Sequence, residues 1–162
     1  MHIDEFWQIV ELGKDENEPE LTLKTQLEKL GFEEVQSFQE HFDQVFDSAY
    51  KWDLWGAAYL IHGGCSDDGF TDFRYALISR GKEVFSKALI SPDSLAELGS
   101  KVEELDNESY GYVAGEVYET KTGEDMPTME STLTDGDLGE EWDFDDESEL
   151  RKRLPKLFLR MQ

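Results

Sequence analysis

The stretch Trp52-Asp53-Leu54-Trp55-Gly56-Ala57-Ala58-Tyr59-Leu60-Ile61-His62 decides the fold class. Leu54, Ala57, Ala58 and Ile61 recur at helical spacing on one face, and Trp55, Tyr59 and His62 recur on another. A helix that is apolar on both faces is enclosed by its neighbours, so the spacing predicts a buried central helix. The small residues at 56–58 let those neighbours approach closely. Gly63-Gly64 ends the helix, because glycine enters the left-handed conformation at little cost.

Toward the amino terminus three further stripes have helical period. Ile3, Phe6, Trp7 and Val10 form the first, with Gly13 placed to end it. Pro19 opens a segment carrying Leu23, Leu27 and Leu30, closed by Gly31. Val35, Phe38, Phe42, Val45, Phe46 and Ala49 make the longest stripe. Toward the carboxyl terminus, Phe70, Phe73, Leu77 and Ile78 predict a helix ended by Gly81, and Val84, Phe85, Ala88 and Leu89 a short one. Ser91-Pro92-Asp93 reads as a helix start with Ser91 as N-cap, continued by Leu95, Leu98, Val102 and Leu105. Tyr110, Val113, Ala114, Val117 and Tyr118 predict a helix ending at Gly123, although Tyr and Val also suit a strand.

Residues 124–149 hold 12 Asp and Glu and no Lys or Arg, so a compact helix there would be self-repelling. The expectation is a long acidic loop over about 124–145, with Trp142 and Phe144 as apolar anchors. Asp146 and Glu149 resemble a capping box opening a last helix, which Pro155 breaks or kinks. Five of the 15 basic residues (Arg151, Lys152, Arg153, Lys156, Arg160) fall in the segment 146–162, a basic tail expected to fold back on acidic helices of its own chain. The fold expected is all-α: a single domain over residues 1–162, with about seven or eight helices around the central one.

The 162 residues fit one domain on a prior of roughly 100–200 residues per domain. Four Trp, six Tyr and ten Phe supply core-forming side chains, which excludes a wholly disordered chain. No apolar run approaches the ~18–20 residues of a membrane span, and Met1-His2-Ile3-Asp4-Glu5 does not resemble a signal peptide. The single cysteine, Cys65, excludes an internal disulfide framework, and the expected compartment is the cytoplasm. With 38 Asp and Glu against 15 Lys and Arg, the formal charge is −23. Such a surface repels nucleic acid and anionic membranes, and draws in a basic protein by long-range steering. Solubility alone is the plainer explanation of the same charge.

The densest polar chemistry runs from His62 through Cys65 to Asp67 and Asp68. His62 and Cys65 supply half a zinc set, and His2 and His41 lie in unrelated segments, so no metal is expected. No EF-hand spacing occurs. Cys65 with His62 lacks an orienting third residue, which argues against nucleophilic catalysis, and Gly63-Gly64 is too short to cradle a phosphate. No cofactor is expected. Trp52, Asp53, Trp55, Tyr59, His62, Cys65, Asp67, Asp68 and Arg74 therefore carry two readings. In the favoured one they are an internal scaffold, with Arg74 paired to Asp53 or Asp67. In the other, Trp52, Trp55, Tyr59 and Arg74 line a small polar pocket.

The run from Trp52 to Ile61, followed by Gly63-Gly64-Cys65-Ser66-Asp67-Asp68-Gly69-Phe70 and Phe73-Arg74, resembles the signature of a bacterial family with a domain of unknown function. The resemblance extends to Asp4-Glu5-Phe6-Trp7, Phe38-Gln39-Glu40-His41-Phe42-Asp43, Pro92-Asp93-Ser94-Leu95-Ala96, Val117-Tyr118-Glu119, Thr122-Gly123-Glu124, Trp142-Asp143-Phe144-Asp145-Asp146 and Leu154-Pro155, nearly the whole chain. It implies no activity. The function expected from charge, size and the missing catalytic set is a protein-interaction module, such as an immunity or inhibitor protein for a basic partner. The alternative is a small-molecule-binding protein or enzyme centred on Trp52–Arg74. Nothing in the sequence sets the oligomeric state.

Overall fold

The computed structural model describes residues 1–162 and contains helices and no strand. The α-helices are α1 (Ile3–Glu11), α2 (Pro19–Glu28), α3 (Phe32–Ser48), α4 (Trp52–His62), α5 (Asp67–Ser79), α6 (Lys82–Ile90), α7 (Glu108–Thr122), α8 (Glu147–Arg153) and α9 (Pro155–Arg160). Two 3-10 segments, Pro92–Glu104 and Asp135–Leu138, complete the fold. The count slightly exceeds the seven or eight expected because Pro155 separates α8 from α9. No helix is long and apolar enough to cross a membrane.

The helices form where the stripes predict them, and their ends have local causes. Gly63 takes φ 69° at the end of α4 and Gly123 φ 75° at the end of α7, both left-handed caps. Ser66 caps α5 by accepting from the Gly69 N–H at 3.1 Å, and Asn107 caps α7 by accepting from Tyr110 N–H. Asp146 accepts from the N–H groups of Ser148 and Glu149, whereas the Glu149 carboxylate turns to Arg153, so only half of the expected capping box exists.

Residues 92–104 depart from the expected regular helix. They form 3-10 turns kinked at Gly99, whose φ 63° and ψ −137° no helix contains. Ser91 makes no capping bond there. Asp93, nearly buried, instead accepts from the N–H groups of Lys156 and Leu157 at 3.1 and 2.9 Å, capping α9 across a long sequence gap.

The core is continuous. In the amino-terminal half α7 packs against α2, α3 and α5, with Phe6, Phe38, Phe42 and Tyr110 in edge and tilted ring contacts. In the other half α4 is enclosed by α5, the 92–104 segment, α8 and α9. Leu54, Ala57, Ala58 and Ile61 of α4 are buried, as the two-faced pattern requires, and Leu150, Leu154 and Leu157 tie the carboxyl-terminal helices into the same core.

Candidate functional site

The outer face of α4 carries a ladder of rings. Trp52 stacks on Trp55 at 5.3 Å between centroids and 7° between planes, and Trp55 stacks on Phe70 of α5 at 5.0 Å and 12°. Residues 142–145 close over this ladder. Phe144 lies 5.6 Å from the Tyr59 ring and within 6.3 Å of both tryptophans, while Trp142 meets Phe144 edge-on at 4.9 Å. Gly56 makes the fit possible: a Cβ there would overlap the Trp142 ring and lie 3.2 Å from Phe144. Polar contacts fix the strap's edges, with Trp142 Nε1–H donating to Asp53 at 2.9 Å and Tyr59 O–H donating to Asp145 at 2.7 Å. The two expected anchors, Trp142 and Phe144, thus hold the acidic segment against the α4 face that carries Trp52, Trp55 and Tyr59.

Arg74 is 2% exposed on α5 and makes no ion pair, which corrects the expected pairing with Asp53 or Asp67. Asp53 is taken by Arg153 at 3.2 Å and by Trp142, and Asp67 accepts from Tyr50 O–H at 2.9 Å. The guanidinium instead lies among three aromatic faces, 3.7 Å from the centroid of Phe46, 4.5 Å from Tyr50 and 4.8 Å from Phe70. It donates to the Phe46 carbonyl at 3.2 Å, and its Nε has no partner. Burial pushes the group down to about 10.

His62 sits at the end of α4 with Nε2 3.1 Å from the Leu105 carbonyl and its ring edge-on to Phe73. Cys65 is half-buried. Desolvation, followed by the charges of Asp106, Asp67 and Asp72, pushes its thiol up to about 11, opposite to what a nucleophile needs. Its carbonyl accepts from Trp55 Nε1–H at 2.9 Å. Asp68 is exposed in the first turn of α5, where its charge suits the helix N-terminus. Of the sequence-predicted residues, Trp52, Asp53, Trp55 and Tyr59 therefore meet around the strap, and Arg74 lies behind Phe70. His62, Cys65, Asp67 and Asp68 are spread along the α4–α5 connection, and no group of His, Cys, Asp and Glu is arranged to hold a metal ion.

A groove of about 790 Å³ lies between α3 and α7 beneath residues 125–132. Carboxylates come from three sides: Asp43 and Asp47 of α3, Glu116 and Glu119 of α7, and Asp125 and Glu130 of the roof. No Lys, Arg or His lines it. Its apolar surface comes from Phe46, Met126 and Met129 and from Tyr112, which is half-exposed on the rim. Gly111 admits the Tyr75 ring against the backbone of α7, and a Cβ at Gly115 would meet nothing within 4 Å. Burial pushes the Asp43 carboxyl above its ordinary range; Gln39, donating at 2.7 Å, partly offsets this, while Asp47 and Glu40 add to it.

A family model described as "Protein of unknown function (DUF4240)" matches residues 1–120. The chain belongs to that family. No curated protein and no solved structure matches it. The DUF4240 match takes in α1 to α6 and most of α7, and with them the α4–α5 ladder and both helical walls of the groove. The strap, the groove's roof and the helices α8 and α9 lie beyond it.

The sequence reading did not find the groove. One signal was available: Gly111 and Gly115 are four residues apart on α7, as are Asp43 and Asp47 on α3, so each pair shares a helix face. Which two faces meet is a tertiary fact that neither spacing contains.

Proposed function

We propose that this protein is an interaction module for a basic protein partner in the cytoplasm, the relation an immunity or inhibitor protein has to a cationic toxin. The observation that carries this reading is the uneven disposal of charge. The few bases are largely engaged internally. Arg74 is buried, and Arg153 is bound to Asp53 and Glu149. Arg160, Lys121 and Lys51 donate to the carbonyls of Gly99, Glu28 and Asp137. Only nine of the 38 carboxylates have a cation or histidine within ion-pair distance, so most of the acidic side chains have no cation beside them. Fields of this kind raise the encounter rate with a basic protein and disfavour nucleic acid and anionic membranes.

Capture on the immobilised full chain from an extract of its source cells, followed by mass spectrometry at low and high salt, tests the reading. The expected result is a basic protein retained in near-stoichiometric amount and released by salt. A retained set no more basic than the extract, or one indifferent to salt, overturns it.

A further inference from the structure

We infer that the groove between α3 and α7 is where a Lys- or Arg-bearing segment of the basic partner docks. This rests on the interaction reading above and adds the place and chemistry of the contact. None of the six carboxylates facing the groove has a cation of the chain within ion-pair distance, whereas across the molecule Arg153 alone serves Asp53, Glu140 and Glu149. Like charges brought together beside apolar surface interact more strongly than they would in bulk water, and an arriving cation relieves all of them together.

The groove's apolar part selects the kind of cation. A Lys or Arg side chain carries a three- or four-carbon stem that lies along apolar surface while its head stays at a polar rim. Phe46, Met126 and Met129 supply that surface, the two methionines in an adaptable form, and the exposed Tyr112 ring offers a face for a guanidinium. The carboxylates are dispersed around the walls and do not converge as metal ligands do. At about 790 Å³ the space suits several side chains of one segment and not a single ion. The bare backbone at Gly115 leaves room for the segment's main chain.

The test is an NMR titration of the full chain with the blocked hexapeptide Lys-Leu-Arg-Lys-Leu-Arg, in parallel with spermine. It compares wild type with the groove variant D47N/E116Q/E119Q and with E5Q/E33Q/E103Q, which removes equal charge elsewhere on the exposed surface. The expected shifts fall on the amides of Gly111 and Gly115 and the methyls of Met126 and Met129. The groove variant should weaken binding roughly tenfold, the sum of three modest charge contacts, and the control variant much less. Shifts spread evenly over the surface, with both variants equally affected, overturn the groove assignment but leave the basic-partner reading to the capture experiment. Spermine binding at the same residues as tightly as the peptide also overturns it, in favour of a small polycation.

Discussion

Arg74 is a buried cation with no carboxylate in contact, in a chain whose acids outnumber its bases more than two to one. Its neighbours are rings, one carbonyl and the Thr71 hydroxyl, so its loss strands no buried charge and the cost of truncation is a cavity among Phe46, Tyr50 and Phe70. Arg74→Ala should cost about 2–5 kcal/mol in thermal or denaturant unfolding, the range for emptying a large buried site. Arg74→Met fills most of the space without a charge to desolvate and should recover most of that loss, as apolar replacements of buried ions often do. A Met variant as unstable as the Ala variant would show that the charge itself holds the site. Cys65 gives a second residue-scale expectation. Its thiol is raised from 9 to about 11, so the folded chain keeps a proton that the unfolded chain gives up. This contribution to stability is complete below pH 9 and is lost as pH rises through 11. Alkylation of the native protein should accordingly inflect near pH 11; an inflection at or below 9 contradicts the environment described for it.

At the scale of elements, the strap and α4 depend on each other through Gly56. Any side chain there pushes against the rings of Trp142 and Phe144. Gly56→Ala should therefore raise hydrogen exchange in residues 142–146 while leaving α3 and α7 protected as before. Unchanged exchange in the strap would mean that its seat is not the one described. The helices themselves were legible because each buries one stripe, and the stripe and its terminal glycine are written locally in the chain. The departures come from a glycine kink inside one segment and from distant groups that claim a residue's partners. Residues 92–104 look like a regular helix with Ser91 as its cap, but Gly99 kinks the segment and Asp93 turns to cap α9. Arg74 looks like half of an ion pair because acids stand near it in sequence, yet Arg153 and Tyr50 claim those acids first. The two aromatic anchors of the strap were legible for the opposite reason: apolar rings in a run of carboxylates have few places to go except the body of the fold.

The whole molecule divides its charges by location. Arg153 and Arg160 clamp parts of the fold together, while α3, α7 and the roof between them concentrate six carboxylates on one groove. That distribution was only half legible. The net charge can be counted from composition, but the groove needs two helices from distant parts of the chain to meet. Under the proposed interaction reading, association with a basic partner is driven by the protein's long-range field. Stopped-flow association rates measured over a range of ionic strength test this most directly. The association rate should fall steeply as salt rises, because screening shortens the reach of the field from about 10 Å at 0.1 M to about 3 Å at 1 M, with a dissociation rate that changes far less. An association rate unchanged across that range would contradict it.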